Sequence, residues 1–154
     1  MIKNLAIVLL VAALIIGPAY SGPTYVRKWH VHVVNEMSPK TLLFVHCKSG
    51  TRDLHLQTVS TGTEFQWTFH SDMFGRTVYW CYWRPDKGDI HANFKVFWDN
   101  NDLYRKCNYR NCIWVAKDLG LYLRDIPDGY DEFRYNWLPG GSIDKNYTTI
   151  NSYA

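Results

Sequence analysis

Six histidines and four cysteines are the residues of this chain best able to do chemistry. In Trp29-His30-Val31-His32-Val33 the alternation puts His30 and His32 on one face of a strand, as metal ligands would stand. A zinc site needs at least a third protein ligand. His55, His70 and His91 also read as outward-facing, but nothing in their spacing gathers them. Solvent-facing strand histidines account for all five, so no metal site is expected. Two histidines and a lysine could run ribonuclease-type acid–base chemistry, but no local motif frames any histidine here. No serine sits in a nucleophile-elbow pattern. Cysteine acts as a nucleophile only as a free thiolate, and an even cysteine count in a secreted chain reads as disulfides. Asp118-Leu119-Gly120 and the stretch from Asp125 to Asp131 are turns, not a calcium-loop pattern. The expectation is a protein with no catalytic residue, no metal and no cofactor, hence not an enzyme.

The elements that would position any site are strands. Thr77-Val78-Tyr79-Trp80-Cys81-Tyr82-Trp83-Arg84 is large and apolar on both faces, which reads as a strand at the middle of a sheet. Thr41 to Cys47 and Cys112 to Ala116 are also apolar on both faces. One-sided alternation marks Trp29 to Asn35, Leu54 to Gln57, Glu64 to His70 and Ile90 to Trp98. Leu54 and Leu56 face inward in the third strand, against His55 and Gln57. Leu121 to Leu123 forms a hairpin with the strand before it, and Phe133, Tyr135 and Trp137 close the core. Asp99 to Arg110 is read as a polar connection, and no amphipathic helix is found. Eight or nine short strands spaced by turn signals give an all-β fold, an antiparallel β-sandwich. Trp67, Trp80, Phe94, Trp98 and Trp114 are assigned to its core. The seven Trp and eleven Tyr mostly alternate with polar residues, so they fill that core before they stack on sugars.

Composition narrows the class. Leu5 to Ile16 is an unbroken apolar run behind Lys3, followed by Pro18 and by small residues at Ala19 and Ser21. That is a secretory signal peptide over residues 1–21 with cleavage before Gly22; the run is too short for a membrane span of roughly 20 residues. A leader over 22–28, a sandwich domain over 29–138 and a polar tail over 139–154 follow. The remaining net charge of about +2 is too mild for a nucleic-acid binder, which shows a strong basic stripe. Asn146-Tyr147-Thr148 is an N-glycosylation acceptor, with meaning only in the secretory pathway.

Val31-His32-Val33-Val34-Asn35, Leu43-Phe44-Val45-His46-Cys47-Lys48-Ser49 and Phe74-Gly75-Arg76-Thr77 bring a family into view. Gly62 with Glu64-Phe65 follows the same pattern. So do Trp80-Cys81-Tyr82-Trp83, Cys107 and Cys112 with Trp114, Gly120-Leu121-Tyr122-Leu123, Tyr130-Asp131 and Trp137. The chain resembles the plant self-incompatibility proteins, or S-protein homologues, from about Trp29 to Trp137. It departs where the family usually has Asp-Leu-Gly, here Asp53-Leu54-His55, and at Leu119-Gly120, where the family has Asp-Gly. Its tail after Trp137 is also longer. The resemblance implies a small secreted disulfide-bonded β-sandwich acting as an extracellular signal. In the founding members this is a pistil ligand read by a cognate pollen protein. It implies no catalytic residue. The expected partner is a cell-surface protein receptor, with no nucleic acid and no membrane insertion after signal removal. The alternative is a cell-wall or glycan-binding protein, which would expose an aromatic cluster on one sheet.

Four cysteines permit three connectivities. Pairing Cys47 with Cys112 and Cys81 with Cys107 closes the longer loops, worth about 4 kcal/mol each on a chain-entropy account; a local Cys107–Cys112 pair across a four-residue turn stays open. Recognition is expected in the loops of a rigid sandwich. Three carry charge: Lys48, Arg52 and Asp53; His70, Asp72 and Arg76 around Met73-Phe74; and Asp99, Asp102, Arg105, Lys106 and Arg110.

Overall fold

The computed structural model describes residues 26–140. The expected signal peptide and its expected cleavage site, Asn146 and the tail from residue 141 lie outside the described residues. Alternation becomes strands in the expected order: β1 Lys28–Asn35, β2 Leu42–Lys48, β3 Asp53–Ser60, β4 Glu64–His70, β5 Tyr79–Pro85 and β6 Ile90–Phe97. After a short helix, α1 Asn101–Lys106, come β7 Asn111–Lys117, β8 Gly120–Asp125, β9 Tyr130–Tyr135 and the two-residue β10 Leu138–Pro139. Two five-stranded sheets result, ordered β4-β1-β7-β8-β9 and β10-β6-β5-β2-β3. They pack face to face as a sandwich. The described pairs are antiparallel except β1 with β7, which run parallel. A parallel pair needs a long crossover; here β2, β3, β5 and β6 of the second sheet, with β4 of the first, are built between the two strands.

The central strand of the second sheet is β5, as its two apolar faces require. Tyr79, Cys81 and Trp83 point into the core and are buried. On the outer face Tyr82 is buried beneath His91, ring centroids 5.8 Å apart. Trp80 is only half-buried, under the Lys95 ammonium, and Trp98 is also half-buried; neither is a full core residue. Inside, Phe94 stacks on Trp83 at 5.4 Å and on Tyr135 at 4.2 Å and meets Trp114 at a tilt at 5.0 Å, so aromatic contacts bridge the sheets. Trp29, Phe69 and Phe97 form a second aromatic group.

Several expectations need correction. The disulfides are Cys47–Cys81 and Cys107–Cys112, not the crossed pairs. Sheet order decides this. β2 and β5 are neighbours and their register sets Cys47 directly opposite Cys81. Cys107 lies just past α1, whose chain turns straight into β7 at Cys112. Leu56 is exposed, not buried. His55 takes φ +57°, a left-handed conformation that favours glycine. This left-handed residue and a register shift in the β2–β3 pair change the phase of the strand, so Val59 takes the inward place. A second shift between Leu121 and Tyr122 turns Phe133 outward, leaving Tyr135 as the inward ring. Trp137 lies beyond β9, held by its Nε1–H donating to Lys117 O at 2.9 Å. The expected polar connection contains α1. Asn100 caps it, accepting from Leu103 N; Asp102 lies in the first turn and Arg105 and Lys106 in the last.

Candidate functional site

The registers place all three candidate loops at one end. Lys28 faces His70, Lys48 faces Asp53 and Trp80, Tyr79 faces Phe97, and His30 faces Asn111. Residues 49–52, 71–78 and 98–110 therefore converge with the approach to β1. Turns 36–41, 61–63, 86–89 and 118–119 occupy the opposite end.

Asp72 builds the most prominent of these loops. Its Oδ1 accepts from Phe74 N at 2.7 Å, its Oδ2 accepts from Arg76 Nη2 at 2.9 Å, and its own N–H donates to Thr77 Oγ1 at 2.7 Å. The Arg76 bond, then the Phe74 amide, holds the Asp72 carboxyl below the usual carboxylate range. Wound around Asp72, the loop throws Met73 and Phe74 into solvent, 64% and 72% exposed. The Arg76 guanidinium lies 5.1 Å from the Phe74 ring centroid. Gly75 must be glycine here: it has φ +70°, and a Cβ would stand 1.9 Å from Asp99 Oδ2.

The neighbouring loop is closed by Ser49, whose N–H donates to Arg52 O and whose Oγ accepts from Arg52 N. Arg52 lies along the first sheet, donating to Thr68 O at 3.0 Å. Asp53 faces His46 Nε2 at 2.6 Å and accepts from His55 N. Burial works to raise its pKa, but the bonds from His46 and His55 outweigh that and hold it low. Between the two loops lies a hollow of about 370 Å³, bordered by Ser49, Thr51, Asp72, Arg76 and Trp80. His70 is exposed at the end of β4.

The third loop is less available than its sequence suggests. Lys106 is 8% exposed, paired with Asp102 at 3.0 Å and with Glu132. Arg105 binds Asp125 at 3.0 Å, a carboxylate with no exposed side-chain surface, and reaches Asp128. Arg105 and Lys106 thus fasten α1 to the first sheet, and Asp102 holds Lys106 from within the helix. Arg110 stays at the surface. Sequence reasoning passed over Arg27, Lys28 and Tyr109, which share this end; the dipeptides Arg27-Lys28 and Tyr109-Arg110 were the signal.

Elsewhere the histidines scatter as the strands dictate. His30 and His32 lie side by side, 6.5 Å between centroids, on the outer face of the first sheet, and His32 meets Glu64 at 3.2 Å. His91 binds Gly140 O. Among the described residues no three metal-ligating side chains gather. The same outer face carries an ion-pair belt over Val115, with Arg124 and Lys117 sharing Asp131 and Glu36.

Fold and site together define a small disulfide-stapled β-sandwich whose three candidate loops are collected at one end. The profile of the family described as plant self-incompatibility protein S1 matches residues 30–137. S-protein homolog 1 of Arabidopsis thaliana is 39% identical over 115 residues, 75% of each chain. Self-incompatibility protein S1 of Papaver rhoeas is 28% identical over 107 residues, 70% of this chain and 71% of its own. The chain belongs to the plant self-incompatibility protein S1 family, the S-protein homologues. A solved SPH (self-incompatibility protein homologue) structure, from a group described as widespread, small, highly stable, secreted plant proteins, superposes with a TM-score of 0.52. It is 16% identical and covers 75% of this chain and 93% of its own; the likeness is one of fold.

Proposed function

We propose that this protein is a small secreted signalling ligand, read by a cell-surface protein partner through the loop end of its sandwich. The observation that carries the reading is the Met73-Phe74 tip: two large apolar side chains held in solvent by a network centred on Asp72, beside the hollow floored by Trp80. A rigid aromatic anchor with charges around it is the usual composition of an energetic contact. The paired charges of Asp72 and Arg76 suit orientation and on-rate more than raw affinity. The test is saturable binding of labelled protein to intact cells of the source tissue, competed by unlabelled protein. Exchange of residues 49–52 or 71–76 for Gly/Ser linkers should leave secretion normal and abolish binding. Unchanged binding by both exchanged proteins would place recognition elsewhere.

A further inference from the structure

Among the described residues, one flank of the loop end carries positive charge that no carboxylate answers. Lys28 starts β1 opposite His70, His30 follows on the same strand, and His30 N donates to Arg110 O at 2.7 Å. The Arg27 guanidinium lies 5.2 Å from the centroid of Tyr109, a ring left 49% exposed. Arg27, Lys28, Tyr109 and Arg110 border an open hollow of about 490 Å³. The carboxylates of this end are engaged by other groups. Asp102 holds Lys106, Asp125 and Asp128 hold Arg105, Asp72 holds Arg76, and Asp53 faces His46. Asp99 is taken by the Tyr104 hydroxyl. Among the described residues Arg27, Lys28 and Arg110 form no ion pair. His30 reports the same field: burial lowers its pKa, and Lys28, His32 and Arg110 all push in that direction, with no carboxylate opposing.

We propose that this hollow binds a carboxylated polysaccharide, a polymer of uronic acid units. Like-charged side chains held in a concavity focus potential toward an anionic ligand. The cations come from two separate stretches of chain, Arg27-Lys28 and Arg110, along one open hollow, which suits carboxylates recurring along a polymer better than a single phosphate. Tyr109 adds what a bare polyanion would not use, an exposed ring on which a pyranose can stack. The site is separate from the Met73-Phe74 tip, so it stands or falls independently of the receptor.

The experiment titrates the purified secreted protein with de-esterified polygalacturonate. Binding should be saturable, weaken at high salt because the charges are exposed, and vanish with fully methyl-esterified polymer. The double variant Lys28→Glu/Arg110→Glu should lose at least about tenfold in affinity, while Lys87→Glu at the opposite end binds as the parent does. Tyr109→Ala should weaken polygalacturonate binding several-fold and Tyr109→Phe should restore it. All variants should keep the parent's thermal midpoint. No saturable binding, or parental affinity in the double variant, overturns the proposal. Polyglutamate binding as tight as polygalacturonate overturns it in favour of an acidic protein segment. Binding only to anionic lipid vesicles overturns it in favour of a membrane surface.

Discussion

Trp114→Phe should be far more costly than Trp83→Phe, although both rings are fully buried and both lose the same atoms. The reason lies in β6. Tyr79 pairs with Phe97 and Trp80 with Lys95, so Val96 is an extra residue with no partner on β5. Such a bulge frees a backbone group from the ladder. Trp114 reaches across from the other sheet, and its Nε1–H donates to Val96 O at 2.8 Å. Phenylalanine would leave that buried carbonyl unsatisfied, at about 1–3 kcal/mol, and would vacate volume worth about 1–2 kcal/mol more. Trp83 Nε1 has no hydrogen-bond partner among the described residues. Trp83→Phe therefore gives up volume but no bond, and removes a buried unpaired donor. The two variants should differ by about 2 kcal/mol or more, a separation near 1 M in urea midpoint for m of about 1–3 kcal/mol/M. Urea unfolding followed by far-UV circular dichroism reads this directly. Equal midpoints would refute the assignment of Trp114 as the cross-sheet tie.

Three further outcomes are expected. Non-reducing peptide mapping should recover Cys47 with Cys81 and Cys107 with Cys112, and alanine at both members should cost about 4 kcal/mol for the first pair and about 2 kcal/mol for the second, because the closed loops differ in length. The Asp131 carboxyl is held low by Arg124 and then Lys117, and Glu132 by Lys106 and then Arg134, in each case against opposing desolvation. Depressed carboxylates stabilise the fold above their unfolded values, so stability should be flat from neutrality to about pH 5 and fall below about pH 4, with a shallower acid loss in Asp131→Asn by pH-dependent urea titration. Gly120→Ala should cost about 2 kcal/mol or more, since its Cβ would stand 2.6 Å from Tyr135 O, whereas Gly62→Ala, with open space at φ +81°, meets only backbone strain of about 1 kcal/mol; thermal melts of the two compare them.

The strands were legible because burial imposes period two, and Trp29-Val31-Val33 or Phe94-Val96 show it plainly. The phase was lost wherever the backbone departed from the pleat. His55 gives no chemical hint of a left-handed conformation that glycine would have announced, so Leu56 was misplaced. Phe133 was misplaced by a bulge at Arg134, the residue of β9 left between the partners of Leu121 and Tyr122, which no turn residue announces. α1 was missed because six residues with only Leu103 and Lys106 buried make no apolar stripe; its cap at Asn100 was the available sign. The disulfides were misread because loop-closure entropy favours long loops, while proximity is set by sheet order, which local sequence does not state. The candidate loops were legible as loops. Their availability was not: Lys106 reads as a surface charge until Glu132, 26 positions on, is brought against it.

Recognition at the loop end is tested most directly by one comparison on intact cells of the source tissue. The apparent dissociation constant would be measured for the parent, for Met73→Ser/Phe74→Ser, and for a variant with residues 86–89 at the opposite end exchanged for Gly/Ser. The loop-end variant should be secreted and folded like the parent and lose saturable binding, while the opposite-end variant keeps it. Parental binding by the loop-end variant, with binding lost in the opposite-end one, would contradict the account.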